Sequence, residues 1–398
     1  MWRTNMSFRK IETLISLTKG KKPLNILQNV EDSYLPYVDI KAFETGIVDN
    51  YTDGEKCVSC NEGDLLIVCD GSRSGLVGKA ITGYVGSTLA RIDVSDEIDI
   101  NYLYYFIQGK YQILNTNVKG TGTPHLKQDL LKSFNIYLPP IEKQKLIVAK
   151  IEELFSKLDK GVEELNKIKE QLKIYRQAVL KEAFEGGFCA KNIHPQIVHI
   201  SEVVRKDKNA LKAGPFGSSL KKEMYVKSGY KIYGQEQVIG GDENIGDYYI
   251  DENKYKELIS CKIAPNDILI SLVGTVGKVL ILSANCKPGI INPRLIKVSL
   301  DEEKMLSKYF KYYFESGYLR SLYKQKVHGA TMDVLNMGMI KELPFPLYPV
   351  SEQEKIICEI ESRLSVCDKI EQTVNESLQK AKSLRQSILK QAFEGKLV

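Results

Sequence analysis

The chain has 398 residues, 43% hydrophobic and 27% charged, enough for two or more globular domains with their own cores, which excludes a disordered or fibrous protein. Its longest apolar runs, such as Asp267-Ile268-Leu269-Ile270-Ser271-Leu272-Val273, have strand length, far short of the roughly 20 residues of a membrane span, and Met1-Trp2-Arg3-Thr4-Asn5 lacks the apolar run of a signal peptide, so a cytoplasmic protein with no membrane partner is predicted. The net charge of +6 sits wholly in residues 188–348, where 23 Lys and Arg stand against 17 Asp and Glu, consistent with a phosphate-facing surface there.

In chain order, the first globular segment, 1–138, contains Gly63-Asp64-Leu65-Leu66-Ile67 and Gly75-Leu76-Val77-Gly78-Lys79, read as strand, tight turn and strand. Tyr102-Leu103-Tyr104-Tyr105-Phe106 reads as a core helix, and Lys119-Gly120-Thr121-Gly122 as a polar glycine turn. A long amphipathic helix follows within 139–187. Its apolar residues Ile147, Ile151, Leu154, Leu158, Val162, Leu165, Ile168, Leu172, Tyr175 and Val179 recur in steps of three and four, the spacing of a narrow helical seam. Pro139-Pro140 opens it and Gly186 closes it.

The second globular segment, 188–348, repeats the first loosely. Asn266-Asp267-Ile268-Leu269-Ile270 lies over the first strand and Gly274-Thr275-Val276-Gly277-Lys278 over the turn, with four extra residues in the first copy. Phe310-Lys311-Tyr312-Tyr313-Phe314 lies over the core helix and His328-Gly329-Ala330-Thr331 over the glycine turn. The final segment, 349–398, repeats the long helix with Ile360, Leu364, Cys367, Ile370, Val374, Leu378, Ala381, Leu384 and Ile388 in the seam, between Pro349 and Gly395. An offset of 209 places Pro140-Ile141-Glu142-Lys143-Gln144 over Pro349-Val350-Ser351-Glu352-Gln353 and Arg176-Gln177-Ala178-Val179-Leu180-Lys181-Glu182-Ala183-Phe184-Glu185-Gly186 over Arg385-Gln386-Ser387-Ile388-Leu389-Lys390-Gln391-Ala392-Phe393-Glu394-Gly395, without a gap.

About 45 residues at 1.5 Å rise make a rod of roughly 65 Å, too long to bury its stripe in one domain. The other copy is the partner of matching length, and chain order requires the two to run antiparallel. The expected fold is therefore α+β: two globular domains at opposite ends of a long antiparallel two-helix coiled coil, related by a pseudo-twofold internal repeat. Two related heads with different loops imply a bipartite ligand.

The duplicated Arg-Gln-x-x-Leu-Lys-x-Ala-Phe-Glu-Gly helix ends resemble the central and distal conserved regions of type I restriction-modification specificity subunits. Gly274-Thr275-Val276-Gly277-Lys278 and Gly214-Pro215-Phe216-Gly217-Ser218-Ser219-Leu220 resemble the framework of that family's target recognition domains, whereas Gly71-Ser72-Arg73-Ser74-Gly75 is longer than the usual turn. The resemblance spans essentially the whole chain. It implies that 1–138 and 188–348 are target recognition domains, each reading one half of a split site in double-stranded DNA. The paired helices, 139–187 and 349–398, would set the spacer and dock two methyltransferase subunits, which restriction subunits with translocase activity then join.

No catalytic machinery is expected in this chain. The Gly-Lys turns lack the spacing of a phosphate-binding loop, Asn292-Pro293-Arg294 lacks the second proline and the aromatic of an adenine-methyltransferase tetrapeptide, and no G-x-G-x-x-G is present to hold a cofactor. Eight scattered cysteines, with Cys57 and Cys60 as a lone C-x-x-C, point to reduced thiols and no metal. Base-reading side chains should be polar or basic and lie on loops. The candidates are Lys21, Lys22, Arg73, Lys79, Lys119 and His125 in the first domain, and Lys221, Lys222, Gln235, Gln237, Lys278, Lys326 and His328 in the second. The expected coiled-coil contacts are Ile151, Leu154, Leu158, Leu165, Leu172 and Val179 against Ile360, Leu364, Val374, Leu378, Leu384 and Ile388. Two rival readings are a fused nuclease or methyltransferase, for which catalytic motifs are missing, and a coiled-coil adaptor, which leaves the two loop-variable domains unexplained.

Overall fold

The computed structural model describes residues 8–29, 33–120, 122–189, 193–272, 277–317, 319 and 336–398. The chain divides into two units, Met1–Asn166 joined by Asn375–Val398, and Lys167–Val374.

Unit 1 runs β1 (Phe8–Lys10), β2 (Ile15–Lys19), β3 (Leu35–Val38), α1 (Ile40–Thr45), β4 (Tyr51–Thr52), β5 (Ser59–Cys60), β6 (Leu65–Val68), β7 (Val77–Lys79), β8 (Gly83–Val85), β9 (Leu89–Val94), α2 (Ile100–Thr116), α3 (Gln128–Ser133), β10 (Asn135–Tyr137) and the first half of α4 (Ile141–Phe184). One antiparallel sheet has the order β2-β9-β6-β7, a second has β4-β3-β8-β5 with β3 parallel to β8, and β1 pairs with β10. Strand β6 is buried along its whole length. The pleat sends Leu65 and Ile67 into the core under α2, while Leu66 and Val68 enter a second core shared with Val38, Ala42 and Val85.

Unit 2 holds the second half of α4, then β11 (Gln196–His199), α5 (Ile200–Val203), β12 (Leu211–Ala213), β13 (Tyr230–Tyr233), α6 (Gln235–Gly240), β14 (Tyr249–Ile250), α7 (Glu252–Glu257), β15 (Ile268–Ser271), β16 (Val279–Ile281), β17 (Gly289–Ile291), β18 (Leu295–Val298), α8 (Ser307–Glu315), α9 (Met337–Glu342), β19 (Pro344–Leu347) and the start of α10 (Val350–Phe393). Its sheets, β12-β18-β15-β16, β14-β13-β17 and β11-β19, repeat the strand order of unit 1, including one parallel pair, β13 with β17, except that a single Lys262–Ile290 bridge stands in place of β5. Gly63 and Asn266, both in the left-handed region (φ 89° and 66°), turn the chain into β6 and β15, and glycine and asparagine tolerate that conformation best.

Strand register corrects two alignments made on the sequence. Leu65 faces Lys79, and Ile268 faces Ile281, so Lys79 and Lys278 are not equivalent. Gly75 instead matches Gly277, both at positive φ and both donating to the end of the preceding strand, at Val68 O and Ser271 O. The loops between those strands thus differ by one residue, not four, since 69–76 answers to 272–278. The aromatic helices also shift by one. The Tyr102 hydroxyl donates to Tyr137 O at 2.7 Å and Tyr309 to Pro346 O at 2.8 Å, while Tyr105 meets Glu152 at 3.4 Å and Tyr312 meets Glu361 at 3.3 Å. Tyr102 therefore matches Tyr309, not Phe310.

The long helices start directly after Pro140 and Pro349 and stop before Gly186 and Gly395, which take positive φ. Their ends are built into the globular cores. In unit 1, Ile147, Ile151, Phe155, Ile388, Leu389 and Ala392 share one cluster with Tyr102 and Phe106. In unit 2, Leu180, Ala183, Ile356, Ile357 and Ile360 join Tyr309, Phe310 and Tyr313.

Within unit 2 the pairing is antiparallel, since Arg176 binds Asp368 at 2.7 Å and Glu371 at 2.9 Å while the later Glu182 binds the earlier Arg363 at 2.8 Å. Of the expected seam, Ile151, Leu172, Val179, Ile360, Val374 and Ile388 are buried and Leu154, Leu158, Leu165, Leu364 and Leu378 half-buried. Leu384 departs from the expectation at 51% exposure, as do the seam residues Tyr175 and Ile370, which are also exposed. Leu384 lies on the wall of an apolar groove of about 990 Å³ with Leu158, Val162, Leu165 and Ala381, because two helices alone cover only one flank of each other.

The shared Gln of the two proline-led motifs has a structural reason. Gln144 is fully buried; its amide nitrogen donates to Glu97 O and Pro139 O, and its oxygen accepts from Asp99 N. Gln353, equally buried, makes the same three bonds with Lys304 O, Tyr348 O and Leu306 N. Gln144→Leu or Gln353→Leu leaves these backbone groups unpaired inside the protein, and each is expected to destabilise its unit by about 2–3 kcal/mol, roughly 4–10 °C in melting temperature. Calorimetry beside the exposed control Gln386→Leu checks this; equal melting of all three variants would contradict it.

Candidate nucleic-acid interface

In each unit the loops that could meet a ligand are set on one backbone frame. The turn after β8 is fixed by Gly86 N to Val38 O, Leu89 N to Gly86 O and Cys69 N to Thr88 O; the turn after β17 repeats these bonds as Asn292 N to Tyr233 O, Leu295 N to Asn292 O and Leu272 N to Arg294 O. Gly20 and Gly214 press against these turns so closely that a Cβ would stand 2.2 Å from Gly86 O and 1.8 Å from Asn292 O. Thr88 and Arg294 therefore occupy one backbone position with different chemistry.

In unit 1, several candidates converge. The loop 69–75 and the loop 119–126 are stitched together by Gly71 N to Pro124 O and Leu126 N to Cys69 O, and by Ser74 Oγ, which donates within reach of three carbonyls. Asp70 lies at the centre. One carboxylate oxygen takes Lys19 Nζ at 2.7 Å and the other His125 Nδ1 at 2.7 Å, so that the outward nitrogen of the imidazole is Nε2. Lys119 is exposed beside His125, with two backbone bonds between them. Arg73 is paired with Glu44 of α1. Lys21 and Lys22 are exposed just after β2. Lys79 stands apart on β7, its ammonium 5.9 Å from the Tyr104 ring.

In unit 2, Lys221 and Lys222 are exposed on the segment preceding β13, and Lys222 borders a cleft of about 430 Å³ that also takes in Gln235, Asn292 and Arg294. Gln235 donates from Nε2 to Ser271 Oγ at 3.1 Å and accepts from Arg294 Nη1 at 3.3 Å. Gln237 is fully buried and holds Gly234 N and Ile245 O, so it shapes the loop and does not face solvent. Lys278 is half-buried; Lys326 and His328 lie outside the described residues. Sequence reading misses Arg294, because Asn292-Pro293-Arg294 reads locally only as an incomplete methyltransferase motif. The available signal was Gly289 through Arg294 lying over Gly83 through Thr88 at a constant offset.

Among the described residues no group of three or more His, Cys, Asp or Glu is placed to hold a metal ion, and no helix is long and apolar enough to cross a membrane.

Residues 4–173 and 205–380 each match the family model of the type I restriction modification DNA specificity domain. The chain belongs to that family. It is 26% identical over 397 residues to the type I restriction enzyme MjaVIII specificity subunit of Methanocaldococcus jannaschii, covering 96% of this chain and 91% of that one. It is 24% identical to the EcoBI specificity subunit of Escherichia coli, covering 84% and 73%. Its fold is shared by a chain solved in work on complex assembly and conformational transition of the type I R-M system (TM-score 0.73, 18% identity, 98% of each chain). The HsdS subunit from Thermoanaerobacter tengcongensis also shares it (TM-score 0.57, 18% identity, covering 99% and 98%). This chain is thus the DNA-recognition subunit of a type I restriction-modification system, with two specificity domains in tandem.

The Asp70 cluster carries a pH signature. Burial alone would raise the Asp70 carboxyl, but the hydrogen bonds and charges of Lys19 and His125 outweigh it and hold Asp70 below the usual carboxylate range. A carboxyl depressed in the folded state adds stability above its unfolded value, near 4, that disappears as pH falls through the folded value. Asp70→Asn should therefore be less stable than wild type at pH 6–8, with the gap closing in urea titrations below about pH 4; a gap that does not change with pH would show that the ionised Asp70 carboxylate is not the source of the stability.

Proposed function

We propose that the chain acts as a ruler with two readers: each recognition domain, 1–138 and 188–348, binds one half of a split duplex site, and the paired helices, 139–187 and 349–398, set the unspecified spacer. What supports this reading most directly is the pattern of identity and difference between the repeats. The bonds that mount each domain on its helix are the same, as with Gln144 and Gln353, whereas positions at the loop surface differ, as with Thr88 and Arg294.

Lys21, Lys22, Lys119 and Lys221 would meet phosphates and fix register, while Arg73 and His125 on loops and Gln235 at the start of α6 would face base edges, Arg73 by exchanging its Glu44 partner for a base. The helix pair would dock two methyltransferase subunits, to which the restriction subunits with translocase activity are added. Methylation, translocation and cleavage then belong to those partners, this chain performs no chemistry, and the assembly works in the cytoplasm.

Deleting residues 169–175 together with 369–375 keeps the flanking Arg176–Asp368 pair in register and shortens the helix pair by about 10 Å, about three base pairs of DNA. Methylated-site mapping in cells carrying the whole system should then show a spacer shorter by about three base pairs between unchanged half-sites. An unchanged spacer, or altered half-site sequences, would refute the ruler.

A further inference from the structure

Unit 1 and unit 2 each hold a cleft of about 430 Å³ bordered by the start of a short helix, α1 or α6, and by the turn that follows the parallel-paired strand. The equivalent turn and helix make the clefts comparable; their side chains do not match. In unit 1 the turn offers Thr88, and the cleft's arginine, Arg73, is neutralised by Glu44. In unit 2 the turn offers Arg294, and among the described residues no carboxylate pairs with it.

Arg294 is anchored through its backbone and through one guanidinium nitrogen. Its backbone N–H donates to Asn292 Oδ1 at 2.9 Å and its carbonyl accepts from Leu272 N at 3.1 Å. The Asn292 side chain occupies space that a Cβ on Gly234 would take, 2.7 Å from Asn292 Nδ2. The guanidinium spends one donor on the neutral amide of Gln235, which is itself anchored to Ser271. Among the described residues four of its five N–H donors are left for an outside acceptor, on an exposed side chain whose backbone and one branch are already placed.

We infer that Arg294 is a specificity-determining residue of unit 2, reading a guanine through O6 and N7, with Gln235 as its positioning residue; this rests on the two-reader function proposed above. The planar fork matches the paired acceptors that guanine presents in the major groove, and no other base offers two acceptors side by side there. A tetrahedral phosphate accepts the fork in many planes, whereas guanine O6 and N7 lie in the single plane of the base, so a guanidinium with one branch held by Gln235 suits the base edge. Lys222, exposed at the rim of the same cleft, is placed for a neighbouring phosphate.

The test uses the full chain assembled with its methyltransferase partner. Methylated sites are mapped in cells for wild type and Arg294→Ala, and duplexes carrying 7-deazaguanine at each guanine of the site are titrated against wild type, Arg294→Ala and Gln235→Ala. The expected result is loss of guanine preference at one position of one half-site, with the other half-site and the spacer unchanged. Wild type should bind the duplex lacking N7 at that guanine about 5- to 150-fold more weakly. Arg294→Ala should be indifferent to the replacement, and Gln235→Ala should show a reduced penalty. Arg294→Ala retaining the wild-type motif at every position, or weakening all sequences alike, overturns the assignment. Should that variant not fold, wild-type binding unaffected by N7 removal at every guanine also overturns it. A wild-type motif that is not split into two halves removes the two-reader function itself, a separate failure.

Discussion

Everything in this molecule depends on one constraint: a 44-residue amphipathic helix has more apolar stripe than its own domain can cover. The chain meets the constraint by carrying the helix twice. The bonds of the repeat are reciprocal. Arg385 of the second copy binds Asp159 of the first, and Arg176 of the first binds Asp368 of the second, positions related by the same offset of 209. The same ion pair therefore recurs at equivalent positions in each unit. The guanidiniums also cover aromatic rings, Arg385 over Phe155 at 4.1 Å and Arg363 over Phe188 at 4.4 Å, shielding apolar edges that a lone helix would leave wet.

The helices were the most legible part of the sequence, because period, proline start and glycine stop all report the same element, and α4 and α10 begin and end within a few residues of where those signals fall. Legibility faded where a contact across the fold decides the register. Tyr-Leu-Tyr-Tyr-Phe can be laid over Phe-Lys-Tyr-Tyr-Phe equally well by hydrophobicity, and only the hydroxyl of Tyr102 reaching Tyr137 O, like Tyr309 reaching Pro346 O, selects the alternative one residue away. The Gly-Lys turns misled for a similar reason: shared letters outweighed strand pairing, which places Gly75 over Gly277.

At the candidate interface, residue type alone could not separate a loop's scaffold from its working surface. Gln237 and Gln235 are two residues apart and chemically identical, yet the first is spent on Gly234 and Ile245 inside the fold while the second opens on a cleft. His125 drew notice as a histidine beside glycines; what sets its orientation is Asp70, 55 residues earlier, which no local pattern reveals. Arg294 went unnoticed because its importance lies in being the counterpart of Thr88.

The glutamine joints bear on how such proteins diversify. Gln144 and Gln353 grip their domains by main-chain atoms, Glu97 O and Asp99 N in one case, Lys304 O and Leu306 N in the other. Carbonyls and amides are supplied by any sequence, so the mount does not inspect the identity of the head it carries. Recombination at these junctions can therefore exchange one head for another, and drift can rewrite the loops of either, while the attachment geometry is inherited intact.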